Sequence, residues 1–240
     1  MRPRSNTIDG MHIIAHRGFS GRYPEMSPLA YEKALELPIT GVECDIRLSR
    51  DGHIVCVHDR DLLRLSGRRT VISSATLQEI KDTHPGVLTL DELIEMVFSY
   101  PGKHLYIEPK HPTRAGRLVE HQLASCLRHH KLLTDERIHV ISFSHSMVRR
   151  MAALAPQIET FYLRRHWEHN LNPTDIFFSR PHGAGMSIAR AKLSPELIGA
   201  KAKPTYIYTV NDPQDMRYCR DRGVGVMATD FPDIALDVLG

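Results

Sequence analysis

Long hydrophobic runs are missing from this chain. Met1 to Gly10 is polar, and the run that follows, Met11 to Ala15, is too short for a signal-peptide core or a membrane span. Cysteine is sparse as well. Cys44, Cys56, Cys126 and Cys219 are scattered with no C-x-x-C spacing, which argues against a disulfide framework. Three of them lie in apolar runs, where a buried free thiol is expected, and a reducing cytoplasm fits that pattern. A strong excess of one charge is also absent. The net charge is +3 and the lysines and arginines are dispersed, so neither nucleic-acid binding nor stable membrane attachment is expected. Fifteen histidines are many, but none form a tract, and most are expected at the surface, among them His53, His129 and His130.

What is present is an alternation. The 240 residues approach the roughly 250 typical of a (β/α)₈ barrel. Short runs rich in Val, Ile, Tyr and Phe read as strands near 12–15, 42–46, 104–108, 138–142, 159–163, 184–188, 205–209 and 223–228. Helices are expected near 27–37, 90–98, 114–130, 145–154, 194–202, 212–221 and 232–238. Ser27-Pro28 and Asp212-Pro213 supply a cap followed by proline at the first helical position. Strands separated by helices imply a parallel sheet, and eight of them allow closure into a TIM barrel. With no linker or composition break, residues 1–240 are expected to form one domain. The stretch 53–88 departs from the pattern. It reads as an extra strand over His53 to Val57, a basic loop from Arg64 to Thr70 and a short helix over Thr76 to Asp82, inserted after the second strand.

Chemistry-bearing residues gather where these strands end. The first delivers His16, Arg17 and Gly18; the second carries Glu43 and Asp45, with His58 and Asp59 after the Gly52 turn. Glu108 closes the third strand, with Lys110 two residues on, and Thr229 and Asp230 close the eighth. The C-terminal end of a barrel is where sites form. Residues two apart on a strand share a face, so Glu43 and Asp45 project together. Carboxylate oxygens without thiolates suit a hard cation, Mg²⁺ or Ca²⁺. A structural ion network with Arg17, Arg47 and Lys110 is the alternative. Two histidines at one barrel end can divide acid and base duties, and Arg17 and Lys110 can hold phosphate oxygens. Arg164, Arg165, His166 and Trp167, beyond the fifth strand, read as a solvated loop near the same end. Phe19, Tyr23, Phe143 and Met186 read as core or rim.

In order and spacing, His16-Arg17-Gly18, Pro24-Glu25, Glu43-Cys44-Asp45, Asp51-Gly52 and His58-Asp59 resemble the signature of the glycerophosphodiester phosphodiesterase family. Weaker matches follow at Thr89-Leu90, Ile107-Glu108-Pro109-Lys110, Ser142-Phe143, Tyr208-Thr209-Val210-Asn211, and from Gly223 through Thr229-Asp230 to Pro232. The resemblance implies a (β/α)₈ barrel that hydrolyses small glycerophosphodiesters to glycerol 3-phosphate and an alcohol. It implies a divalent cation on Glu43, Asp45 and Glu108, with His16 and His58 as the acid–base pair. Two positions depart from the family pattern: Met26 stands where asparagine is usual, and Tyr208 where an indole is common. A lysophospholipase D-type enzyme and a catalytically silent phosphate-binding barrel are the rival readings. A two-carboxylate glycoside hydrolase on this fold would need no metal.

Overall fold

The computed structural model describes residues 7–113, 116–165 and 179–240. Its strands are β1 (Thr7–Ile8), β2 (Met11–Ala15), β3 (Gly41–Leu48), β4 (Ile54–Cys56), β5 (His104–Pro109), β6 (Ile138–Ser142), β7 (Glu159–Leu163), β8 (Gly183–Ser187), β9 (Thr205–Tyr208) and β10 (Val226–Thr229). Eight of them, β2, β3 and β5 to β10, pair in parallel in chain order. β10 then pairs back onto β2, which closes the barrel.

Alternation along the strands divides the core in two. Ile14, Tyr106, Ile141, Phe161, Leu163, Tyr206, Val226 and Ala228 form one buried cluster, the filling of the barrel. Their strand neighbours, among them Ile13, Val42, Cys44, Ile46, Ile107, Val140, Ile207 and Met227, pack in a separate cluster with helix residues. Those helices are α1 (Pro28–Leu35), α2 (Leu63–Ser66), α3 (Leu77–Thr83), α4 (Leu90–Phe98), α5 (Leu118–His129), α6 (His145–Leu154), α7 (Ile188–Leu193), α8 (Pro213–Asp221) and α9 (Pro232–Leu239).

The caps read from sequence form. The Ser27 hydroxyl accepts from the Ala30 amide at 3.1 Å, and the Asp212 carboxylate from the Gln214 amide at 2.8 Å. Thr76 with Glu79, and Thr89 with Glu92, complete capping boxes at the starts of α3 and α4.

Closure of the barrel also depends on Gly41, which pairs with His104 across β3 and β5. A Cβ at Gly41 would lie 2.0 Å from the His104 carbonyl oxygen, a backbone atom that cannot step aside. Gly41→Ala is therefore expected to destabilise the fold by about 1–3 kcal/mol, the usual range for overpacking. Urea unfolding reads this directly; an unchanged midpoint would show that the two strands have room to part.

Several expectations need correction. β1 lies in the polar segment Met1 to Gly10, for which no strand was expected. It pairs antiparallel with β2 through Asp9 (φ 50°) and Gly10 (φ 81°), an Asp-Gly turn of the hairpin-forming kind. The helix expected over 194–202 lies earlier, as α7, because the Ser187 side chain caps Arg190. Pro195–Leu197 and Ala200–Ala202 form only single 3₁₀ turns, interrupted by left-handed Gly199. Of the helix expected over 114–130, α5 covers Leu118–His129, with residues 114 and 115 outside the described residues, and the last strand runs Val226–Thr229. The loop read over 64–70 begins in α2, which left-handed Gly67 ends. The expected extra strand is present as β4, antiparallel to β3.

The histidines also divide differently. His53 and His129 are exposed, but His130 is half-buried against Asp91, and His12, His104 and His139 gather inside the barrel. Cys44, Cys56 and Cys219 are buried free thiols. Phe19 and Met186 are buried, with Tyr23 edge-on to Phe19 at 5.5 Å.

Candidate active site

The C-terminal mouth of the barrel gathers every site residue named from the sequence. His16, Arg17, Glu43, His58, Glu108 and Lys110 line one cavity of about 170 Å³, walled on its other side by Phe143, Leu163, Tyr206 and Tyr208. Asp45 is fully buried and in contact with two of these residues, Arg17 and Lys110. The period of the strands explains the placement. Glu43 and Asp45 occupy the inward face of β3, Glu108 the inward face of β5, and β5 is in register with β3 so that Asp45 pairs with Glu108.

His16 follows β2 directly, and its amide donates to the Thr229 carbonyl at 2.9 Å. The chain then turns sharply through two left-handed residues, Arg17 (φ 59°) and Gly18 (φ 77°). A Cβ at Gly18 would meet the Ala30 carbonyl carbon at 2.8 Å, so only glycine lets this loop press onto α1. Met26 is left-handed too (φ 53°), a conformation that asparagine tolerates better than a thioether side chain. Burial of the Met26 side chain in the outer core offsets that strain, and its amide donates to the Arg17 carbonyl at 2.8 Å. The loop thus keeps its shape without the usual amide.

Each histidine of the pair is fixed by a carboxylate. His16 Nδ1 lies 2.7 Å from Asp230 Oδ1, and its Nε2 faces Glu43 at 4.0 Å. Asp230 is itself held by the Asn211 amide at 2.7 Å and the Ser20 hydroxyl at 3.0 Å. His58 Nδ1 lies 2.8 Å from Asp59 Oδ1, while Arg64 donates to Asp59 and Glu25 at 2.6 Å each. Arg47 donates to the His58 carbonyl at 3.0 and 2.7 Å, so it supports the His58 loop and pairs with none of the three acids. In both histidines the Nδ1 bond leaves Nε2 as the free nitrogen. The environments differ. Burial works against charge on His16, yet Asp230 and Glu43 raise its pKa above the ordinary value. Burial, then the Lys110 charge, lower that of His58.

One oxygen from each of Glu43, Asp45 and Glu108 lies within 4.8 Å of the others, and all three acids are buried. Burial, then repulsion from Asp45, pushes the Glu43 carboxyl up to about 8. Burial likewise raises Glu108. Asp45 is held below the usual range against the effect of its burial, by Lys110 and Arg17. Those cations approach closely: Lys110 Nζ is 2.6 Å from Asp45 Oδ1 and 2.8 Å from Glu108 Oε1, and Arg17 Nε is 3.0 Å from Asp45 Oδ2. Yet neither Asp45 oxygen nor Arg17 Nε has a hydrogen bond of proper alignment. Fully buried carboxylate oxygens that lack aligned donors fit a cation ligand better than a finished ion network. The donor set is all oxygen, as a hard divalent ion requires.

Sequence reasoning left Asp230, Asp59, Asn211 and Glu25 without roles. The signal was there for Asp59, adjacent to His58 in the chain, but Asp230 meets His16 only through closure of the barrel. Arg164, read as part of a solvated loop, is buried, and the Tyr208 hydroxyl donates to its carbonyl. Arg165 lies over the Phe143 ring, 5.3 Å from its centre. His166 and Trp167 lie outside the described residues.

Comparison with known proteins points one way. The model of the glycerophosphoryl diester phosphodiesterase family matches residues 16–234. A probable glycerophosphodiester phosphodiesterase 1 of Mycobacterium tuberculosis is 33% identical, over 92% of this chain and 89% of that protein. A glycerophosphodiester phosphodiesterase of Bacillus altitudinis is 27% identical, over 94% and 97%. Among solved structures, an Oleispira antarctica phosphodiesterase in complex with the product sn-glycerol-3-phosphate superposes with a TM-score of 0.85. It is 23% identical, and the match covers 95% of this chain and 96% of that one.

Proposed function

This chain belongs to the glycerophosphoryl diester phosphodiesterase family, and we propose that it uses a divalent cation to hydrolyse glycerophosphodiesters to glycerol 3-phosphate and an alcohol. The observation that carries this reading is the trio Glu43, Asp45 and Glu108, buried at the barrel mouth between two histidines oriented by carboxylates. Mg²⁺ or Ca²⁺ held there would polarise the phosphodiester and lower the pKa of the attacking hydroxyl.

The chain's own residues do the rest. Arg17 and Lys110 face the cavity and neutralise the phosphate oxygens. One histidine takes the proton of the nucleophile at Nε2, and the other donates a proton from Nε2 to the departing alkoxide. The nucleophile is water or the neighbouring glycerol hydroxyl, and both routes use the same two nitrogens. Phe143 and Tyr208, edge-on at 5.4 Å, form the apolar wall against the glycerol part.

Residues 1–240 act as one catalytic unit, and the 53–88 insertion serves to deliver His58. A reducing cytoplasm suits the free thiols, and phospholipid-derived glycerol metabolism suits the reaction; cell fractionation tests the first.

The direct test is a panel of glycerophosphodiester head groups, with a lysophospholipid included and glycerol 3-phosphate measured. Release from the small diesters supports the proposal, and release from none of them sinks it. The ligand assignment has its own test. Glu43→Gln and Asp45→Asn remove charge but little volume, so each is expected to weaken Mg²⁺ or Ca²⁺ binding at least tenfold, about 1.4 kcal/mol. Calorimetric titration reads the affinity, and an unchanged value in both variants refutes the assignment.

A further inference from the structure

The opposite end of the barrel carries a second cluster of ligand-type side chains, about which the reaction at the mouth says nothing. His12 of β2, His104 of β5 and His139 of β6 each bring one ring nitrogen within 4.8 Å of the others. They come from three strands, and the β3 residue in register with His104 is Gly41, which has no side chain to interpose. The His12 and His104 rings meet edge-on at 5.0 Å. His104 Nδ1 lies 2.8 Å from His139 Nε2.

The surroundings of this cluster are ordered in the way ligating histidines require. His139 Nδ1 is 2.7 Å from the Glu159 carboxylate, which places its proton on Nδ1 and turns the Nε2 lone pair towards His104. A carboxylate on the far nitrogen is the usual support of a histidine bound to zinc. His12 Nδ1 is anchored in turn by the Tyr106 hydroxyl at 2.9 Å. The Tyr106 ring stacks on His139, with centres 4.1 Å apart. His12 and His104 are half-buried, so the cluster is open to solvent on one side.

We propose that His12, His104 and His139 form a three-histidine zinc site on the floor of the barrel, separate from the carboxylate trio at its mouth. Three imidazoles suit Zn²⁺ and exclude Mg²⁺ and Ca²⁺, which take oxygen ligands. Water completes the tetrahedron on the solvent side. Binding replaces the His104–His139 hydrogen bond: the His104 proton moves from Nδ1 to Nε2, and no proton is lost. The ion ties β2 to β5 and β6 at the N-terminal end, the face of such barrels that serves stability.

The test uses the whole chain without a polyhistidine tag, stripped with EDTA and then given Zn²⁺ in the presence of excess Mg²⁺. After gel filtration, metal analysis is expected to find about one zinc per chain. Glu43→Gln should retain it, whereas His104→Gln and His12→Gln should each lose it while keeping turnover with Mg²⁺. Co²⁺ in place of zinc should give the strong visible bands of a four-coordinate ion in the wild type and in neither histidine variant. The two variants sit on different strands, so a folding failure in one leaves the other as the test. Zinc absent from the wild type, retained at wild-type level in a folded histidine variant, or lost in Glu43→Gln overturns the site. Any of those results leaves the three rings as a packed plug.

Discussion

Dialysis against EDTA is expected to abolish turnover completely, and either Mg²⁺ or Ca²⁺ is expected to restore it. The reason lies in the electrostatics of the barrel mouth. Three carboxylates share one buried space, and two carboxylates that close repel strongly at the reduced effective dielectric of a protein. The protein answers in part with Arg17 and Lys110. Those contacts hold Asp45 as a carboxylate but leave Glu43 and Glu108 shifted upward, towards the protonated form. A network complete in itself would leave no such strain, and its oxygens would accept well-aligned hydrogen bonds. Asp45 accepts none. Arg17 and Lys110 also have a second task, since both face the cavity where the phosphate must sit. Once they turn to the phosphate, the acids need another positive partner, and a dication supplies it. Full turnover in protein shown by metal analysis to be free of divalent ions would leave the carboxylates as a structural network.

Much of this architecture could be read from the sequence because each barrel strand carries its own period. Glu43 and Asp45 share a face for the same reason that Val42 and Cys44 share the other, and the parallel pairing of β5 with β3 then brings Glu108 beside them. Helix starts were legible where Ser27 and Asp212 stand as caps, since capping is a local interaction. What could not be read was set by contacts distant in the chain. Asp230 supports His16 across 214 residues, and nothing local to either marks the pair. The histidines of the floor were missed for a related reason. His12, His104 and His139 each look like a lone polar residue at a strand start. They become one cluster only when β2, β5 and β6 converge. The misplaced helix near 194–202 shows the limit of local pattern as well. Residues 195–202 have helical composition, but Pro195 and left-handed Gly199 allow only isolated turns.

The histidine pair carries the second large effect. His16→Ala and His58→Ala are each expected to lower kcat by roughly 10²–10⁴-fold, the range of a lost general acid or base. Stability should change little, because the partners left behind remain bonded. Without His16, Asp230 keeps Asn211 and Ser20; without His58, Asp59 keeps Arg64. Both rings are also partly exposed, at 20% and 35%, so neither truncation empties a core cavity. Melting temperatures within about 4–5 °C of the wild type separate this outcome from a folding defect. A p-nitrophenyl phosphodiester then assigns the roles. Its leaving oxygen departs without protonation, so turnover should recover in the variant that lacks the acid and stay low in the one that lacks the base. Equal losses on both substrates would show that leaving-group protonation is not the step either histidine serves. Near-normal turnover in either variant would make that histidine a structural residue, and the two-histidine mechanism would fall with it.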